Sequence, residues 1–482
     1  MREKILALEK VAQELEPNAE QRKGWIEQVV NYTDQFLENI ETRKAFVVAD
    51  NQASEFLRYG IGEEGRDMAS LIRLLDKHVN TPGLNPASGG HLAYIPGGGI
   101  FPTALGDYIV DIFNTYAGIF FTGPGAVRME NMLLRWMCDL IGFPKTALGN
   151  LTSGGSIANL TAIVTARDCK RITPKRIEVS VIYLTEQAHH SVQKAIRIAG
   201  LNEAILRYIP VDDRFRMDTV ALEKNIAKDK AAGLNPFLVI ASAGTTDTGA
   251  IDAMDKISEL AVANDMWFHV DAAYGGFFLL AEEVKASFRG IERADSVTID
   301  PHKGLFLSYG LGAVLIKDVA ALQQSHYYKA NYMQDAVGDV TEPSPADLSP
   351  ELTKHFRGMR MWLPLQLLGV KRFSAALSEK IWLCRYFYEA IQKLGFEVGP
   401  YPELSVTIYR YVPARGDANE FNKALVKAVQ EEGSVFLSST TIGGVYWLRL
   451  AVLCFRSHLR TIDTCLRVLE KSVERLNQTL VS

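Results

Sequence analysis

Two short blocks hold residue types that could do chemistry together. One reads His269-Val270-Asp271-Ala272-Ala273-Tyr274; the other, after a helical interval, reads Asp300-Pro301-His302-Lys303. Each follows a brief apolar run, Met266-Trp267-Phe268 and Val297-Thr298-Ile299. Runs of that length between polar turns read as buried strands of an α/β sheet. A carboxylate and an amine therefore leave the sheet at C-terminal strand ends, where open α/β sheets keep their ligand crevice. An amine that attacks a carbonyl must lose its proton near neutrality, so it needs a desolvated or cationic setting. A buried carboxylate without a cation or donors costs roughly several kcal/mol. Pyridoxal phosphate meets both demands, since its aldehyde takes a lysine and its protonated ring nitrogen pairs with an acid. Ala273 lies on the strand face of Asp271 and leaves room for a flat ring. Read singly, Asp271 is a turn cap and Lys303 a surface lysine; the argument rests on the pair.

A third stretch, Leu151-Thr152-Ser153-Gly154-Gly155-Ser156, feeds a run with Leu160, Ile163 and Val164 at helical spacing. A glycine-rich turn at a helix start offers free N–H groups and the positive end of the helix dipole to an anion. Small residues let a phosphate approach the backbone. Alone, the same tetrapeptide is an ordinary cap.

Taken together, the His269–Tyr274 block and Pro301-His302-Lys303 resemble the group II pyridoxal-phosphate decarboxylases, the family of aromatic-L-amino-acid, glutamate and histidine decarboxylases. The match runs from about His91 to about Leu453. The resemblance implies fold type I, an aspartate-aminotransferase-like α/β architecture. It implies pyridoxal 5'-phosphate bound through Lys303, with Asp271 on the ring nitrogen and Gly155 and Ser156 on the phosphate. His189, in Gln187-Ala188-His189, would stack on the ring; His190 is left out as pointing elsewhere. Thr246 would bond near the cofactor oxygen or the substrate carboxylate. His302 would orient that carboxylate or relay a proton, unless it is a wedged structural histidine. Tyr332 is the aligned proton donor to the carbon left by CO2, with Tyr327 and Tyr328 as rivals. Relatives with Phe there tend to make aldehydes. Two departures stand out: Ile157 replaces a frequent Glu, and Asp300 replaces Asn or Ser beside the phosphate, where a carboxylate repels unless paired. Arg449, in Trp447-Leu448-Arg449-Leu450, either meets a carboxylate of substrate or lid or makes a structural salt bridge. The reading is decarboxylation of an L-amino acid, aromatic favoured. An aldehyde-forming or carbon–carbon lyase and a non-catalytic cofactor-binding scaffold remain as alternatives.

These residues need a frame. Strands are expected at 179–184, 205–209, 237–240, 266–270 and 313–316, with helices at 190–199, 218–228 and 253–264 between them. Such alternation implies right-handed crossovers and a mostly parallel sheet with flanking helices. The stretch 81–102 reads as loop, walling the substrate pocket by resemblance. A turn at Gly123-Pro124-Gly125 opens an amphipathic helix. Residues 326–350 lack apolar period and read as a lid. Three regions result: an N-terminal helical arm over 1–85, a large cofactor-binding α/β domain over 86–351, and a small C-terminal α+β domain over 352–482, opened by a long helix from His355. The arm carries Ile5, Leu8, Val11 and Leu15, then Trp25, Val29, Tyr32, Phe36 and Ile40, at helical spacing. By resemblance it packs on a second subunit, giving a homodimer.

Composition excludes several classes. Of 482 residues, 48% are hydrophobic, which rules out disorder and supplies a large core. The 52 basic and 56 acidic residues give a net charge of −4, with no basic footprint for nucleic acid and no polybasic membrane patch. Cys138, Cys169, Cys384, Cys454 and Cys465 lack metal-ligand spacing and read as buried thiols in a reducing compartment, the cytoplasm. No apolar run is long enough to span a membrane.

Overall fold

The computed structural model describes residues 1–49, 57–95, 97–327 and 342–481. Tyr328 and Tyr332 lie outside the described residues, as does most of the lid expected over 326–350.

Seven strands form the central sheet: β1 (Leu148–Thr152), β2 (Ser180–Leu184), β3 (Ile205–Tyr208), β4 (Asn235–Ser242), β5 (Trp267–Asp271), β6 (Ser296–Ile299) and β7 (Gly312–Ile316). Their order is β1-β7-β6-β5-β4-β2-β3. The pairs β6/β5, β5/β4, β4/β2 and β2/β3 are parallel. β7 runs antiparallel to both neighbours, β1 and β6. Helices α6 (Gly155–Cys169), α7 (His190–Ile198), α8 (Thr219–Ala231) and α9 (Met254–Ala263) follow β1, β2, β3 and β4. Strands covered on both faces are buried along their length. Every residue of β1, β2, β5, β6 and β7 is buried, the polar ones among them held by hydrogen bonds such as those of His269 and Ser296. The C-terminal ends of β1, β2, β4, β5 and β6, with the N-terminal end of the reversed β7, share one edge of the sheet.

Before the sheet come α1 (Arg2–Ala12), α2 (Ala19–Glu38), α3 (Met68–Leu75), α4 (Phe101–Phe113) and α5 (Pro124–Ile141). Neither α1 nor α2 buries a single residue. Ile5, Leu8, Val11, Leu15, Trp25 and Val29 are all exposed, as are Leu105, Ile109, Ile112 and Phe113 of α4. In contrast, Leu133, Met137 and Ile141 put α5 into the core, although Met132 on the same helix is exposed.

After the sheet, α10 (Val319–His326) precedes α11 (Gly358–Leu368) and α12 (Val370–Lys393), which replace the one long helix expected from His355. Gly369, at φ +69, separates them in a conformation that favours glycine. The small sheet is β8-β9-β11-β10, all antiparallel, from β8 (Phe396–Val398), β9 (Val406–Tyr411), β10 (Ser438–Ile442) and β11 (Val445–Ala451). Helices α13 (Ala418–Glu432) and α14 (Leu459–Val481) complete this region. Its own core centres on Phe387, Tyr409, Leu425, Leu448 and Leu469. Four of the five cysteines are buried, but Cys169, at the end of α6, is exposed against expectation; none is paired. Among the described residues no helix is long and apolar enough to cross a membrane.

Candidate active site

Every expected site residue among the described ones opens onto one cavity of about 520 Å³ at the shared strand edge. Gly155 and Ser156 enter it from the start of α6, His189 from the cap of α7, Thr246 from the loop after β4, Asp271 and Ala273 from the end of β5, and His302 and Lys303 from the turn after β6. Tyr94, Ile95, Tyr309 and Gly310 also line it. Tyr94 and Ile95 are consecutive left-handed non-glycine residues, at φ +51 and +55, a costly conformation concentrated at binding walls. The expected loop wall over 81–102 therefore contributes its middle, and its last two residues already belong to α4.

Asp271 is 8% exposed. Its Oδ1 accepts the Ala273 N–H at 3.1 Å and its Oδ2 accepts the Asn159 side-chain amide at 2.9 Å. Asn159 sits at the centre of a polar chain that the sequence did not reveal. Trp267 Nε1–H donates to Ser296 Oγ (2.8 Å), and Ser296 Oγ lies 2.8 Å from His269 Nδ1. His269 Nε2 meets Asn159 Oδ1 at 3.1 Å, and Asn159 Nδ2 also reaches Ser191 Oγ at 3.1 Å. Ser191 Oγ lies 2.7 Å from His189 Nδ1, which accepts the Ser191 N–H as well. One assignment of protons satisfies every link: His269 neutral with its proton on Nε2, and His189 neutral with Nδ1 accepting. Burial pushes the His269 imidazole down to about 4 despite the Asp271 charge, in agreement with that assignment. Burial also lowers His189; Asp271 opposes this, while His190 and Lys303 reinforce it. The His190 ring is exposed but packs on His189, with centroids 4.1 Å apart, so it supports the site's histidine from outside the cavity.

Lys303 emerges from the single helical turn Pro301–Gly304. Its Nζ lies 3.2 Å from Asp300 Oδ2. Asp300 is 1% exposed, and its Oδ1 has no hydrogen-bond partner among the described residues. The expected repulsive acid is thus paired with the lysine itself. His302 donates from Nδ1 to the Leu311 carbonyl (2.6 Å), which leaves Nε2 as an acceptor, 3.8 Å from Asp300 Oδ2. Burial holds the His302 imidazole below its ordinary range, against the pull of Asp300.

The anion cradle is built as its sequence implies. The first intrahelical bonds of α6 run from Ile157 and Ala158 to Gly154 O, so the N–H groups of Gly155 and Ser156 precede the ladder. A Cβ on Gly155 would lie 3.1 Å from Asp300 Oδ2 and 3.3 Å from the Ala273 methyl. Only a bare backbone leaves the cradle open. Behind it, a Cβ on Gly312 would collide with Asp300 Oδ1 and with Gly154.

Arg449 is 3% exposed and donates to Thr246 O (2.8 Å) and Ser438 Oγ (2.7 Å). Neither partner is a carboxylate, so the structural salt bridge does not form among the described residues; instead Arg449 fixes the backbone of Thr246. Tyr327 closes α10 half exposed and does not line the cavity. Asn159 and Ser191 were the missed residues. Asn159 is one of three buried polar residues on α6, with Thr161 and Thr165, and its type alone does not set it apart; Ser191 is a hydroxyl two residues past His189.

An open cradle, a lysine, and a fully wired carboxylate in one cavity suit a phosphorylated aldehyde on a nitrogen heterocycle. A family model described as "Pyridoxal-dependent decarboxylase conserved domain" matches residues 78–412. The chain is 32% identical over 448 residues to an aromatic-L-amino-acid decarboxylase of Bacillus atrophaeus, covering 91% of this chain and 92% of that one. It is 27% identical to tryptophan decarboxylase 2 of Oryza sativa subsp. japonica, covering 95% and 96%. Its fold is similar to that of a crystal structure of Oryza sativa TDC with PLP and tryptamine, at TM-score 0.89 and 23% identity over 95% of this chain and 99% of that one.

Proposed function

The chain belongs to the pyridoxal-dependent decarboxylase family, and from that membership we propose its substrate class, the role of each site residue and its assembly. It is a pyridoxal 5'-phosphate-dependent amino-acid decarboxylase, and the substrate we propose is an aromatic L-amino acid, released as the amine and CO2. The observation that carries the site reading is the convergence of Lys303, Asp271 and the Gly155–Ser156 cradle on one cavity from three separate strand ends. Tyr94, Ile95 and Tyr309 give that cavity walls suited to an aromatic side chain, and the Bacillus relative is named for such substrates.

When bound, the cofactor supplies an electrophilic carbon and an electron sink. Lys303 Nζ would hold that carbon. Asp271, whose oxygens accept two N–H donors, would pair with the ring nitrogen. His189, braced by Ser191, would present a flat face to the ring, and Ala273 would leave it room. Gly155 and Ser156 take the phosphate, and Thr246, held by Arg449, positions the cofactor oxygen or the substrate carboxylate. His302 Nε2 faces the cavity as an acceptor that can orient the substrate. Tyr332 donates the proton to the substrate carbon from which CO2 departs.

The apolar residues that α1, α2 and α4 leave exposed support a homodimer, in which a second copy would cover them. A cytoplasmic location accords with five unpaired cysteines.

A panel of L-amino acids assayed for CO2 and amine tests the substrate. Highest kcat/KM for a phenolic or indolic substrate is expected; a preference for glutamate or another charged side chain would sink the aromatic reading. Tyr332→Phe tests the donor: in air-saturated buffer, with dissolved O2 as the two-electron oxidant, aldehyde, ammonia and hydrogen peroxide are expected in place of amine. Sedimentation tests the dimer.

A further inference from the structure

Asp300 is the one buried acid of the cavity whose surroundings do not settle its charge by hydrogen bonding. Its Oδ1 is unpartnered among the described residues, and its Oδ2 has Lys303 Nζ at 3.2 Å. The other titratable groups of the cavity are the neutral imidazoles of His302, 3.8 Å away, and His189, the Asp271 carboxyl, and the phenols of Tyr94, Tyr274 and Tyr309. The carboxylate lies directly beneath the anion cradle: a Cβ on Gly155 would touch Oδ2, and one on Gly312 would strike Oδ1. Covalent capture of an aldehyde changes this balance twice. The Lys303 ammonium gives its proton to solvent, the Nζ lone pair forms the C=N bond, and the aldehyde oxygen leaves as water. Asp300 so exchanges a compact ammonium for the weaker base of an imine nitrogen, whose charge is spread over the conjugated system, at the moment a phosphate arrives at the cradle. Like charges at such range oppose one another strongly in a buried site.

We propose that Asp300 weakens the hold of this site on the phosphate of its cofactor and makes the cofactor exchangeable. The proposal rests on the cofactor reading given above. In the empty site the Lys303–Asp300 pair is self-neutralised, which makes that state stable. In the loaded site the carboxylate is the unfavourable element, which makes release easier. Retention is thereby set by cofactor supply and not fixed at folding.

The test measures dissociation constants for pyridoxal 5'-phosphate and for pyridoxal, by titrating the visible absorbance band in the wild type and in Asp300→Asn, an isosteric change. The expected result is tighter binding of pyridoxal 5'-phosphate by about tenfold or more in the variant, with slower loss on dialysis. Pyridoxal, lacking the phosphate, should change by less than about threefold. Equal or weaker binding of pyridoxal 5'-phosphate overturns the proposal, and so does equal tightening of both ligands, which would place the effect on the lysine alone. A second comparison removes the covalent bond: tryptophan-fluorescence quenching by pyridoxal 5'-phosphate in Lys303→Ala against Lys303→Ala/Asp300→Asn. The double variant should bind more tightly, and failure to do so also overturns the proposal. Thermal melts of each variant report folding. No absorbance band in the wild type at saturating cofactor overturns the cofactor reading itself, an outcome distinct from a band whose affinity ignores Asp300.

Discussion

Asp271 and Asp300 close neighbouring parallel strands, β5 and β6, and both point into one cavity. Both are nearly inaccessible, at 8% and 1% exposure. Their surroundings differ. Asp271 receives two N–H donors and stands at the end of a hydrogen-bond chain that runs back through Asn159 and His269 to Trp267. Asp300 has the Lys303 amine on one oxygen and, among the described residues, no hydrogen-bond partner on the other. A carboxylate wired by neutral donors keeps the same partners whatever the ligand does. A carboxylate balanced by a reactive amine is at ease only until that amine reacts. Side by side, they separate a permanent electrostatic fixture from a conditional one.

The largest expected effect strikes the conditional pair. Lys303→Ala should lower turnover by about 10^4-fold or more and abolish the visible absorbance band. Normal amine release by that variant would remove the lysine from the chemistry. Next comes the fixture itself: Asp271→Asn should cost roughly 10^2- to 10^3-fold in kcat with little loss of cofactor. If its main effect were on cofactor affinity, the contrast with Asp300 would disappear. Third, Asn159→Ala leaves His269 Nε2 and Asp271 Oδ2 each short of a partner. It should lower stability by about 1–3 kcal/mol, read as a shifted urea midpoint, with a roughly tenfold loss of kcat. An unchanged midpoint would mean that water replaces the amide and that the chain of bonds is dispensable.

The smallest effect is a pH dependence. His269 is neutral in the folded protein down to about pH 4, whereas a histidine of the unfolded chain charges near pH 6.5. The unfolded state therefore binds the extra proton first as the solution is acidified. The stability that His269 contributes is complete above about pH 6.5 and is lost as pH falls toward 4. The expected loss is on the order of 1–2 kcal/mol by pH 5, seen as a urea midpoint that falls less steeply in His269→Gln. Identical slopes would show that acid acts elsewhere.

Asp271, Lys303 and the glycine turn were legible because each is local: a short apolar run, then a chemically distinctive residue at its end. Asn159 was not, because its significance lies in a contact 112 positions away. A buried asparagine on a helix looks the same in sequence whether it bridges a catalytic acid or caps a neighbour. The strand Phe396–Val398 is too short to show alternation. Ser438–Ile442, reading Ser-Ser-Thr-Thr-Ile, is too polar to resemble a core strand and owes its place to pairing with β11. Direction was the other silent property. β7 was expected in the sheet, and it is there, but reversed. Between β6 and β7 the chain offers one helical turn and no helix long enough to recross the sheet face, as a parallel return requires. The exposed Cys169 shows the same limit, since residue type alone said buried.

That reversal has a consequence for how the site is encoded. Because β7 comes straight back from the edge it leaves, the segment joining β6 to β7 never travels away, and His302, Lys303, Tyr309 and Gly310 all open onto the same cavity within nine consecutive residues. A single insertion or deletion there would displace the amine, an imidazole and a wall in one event. The stretch can change letter by letter, but its length is constrained like the spacing of teeth on a key.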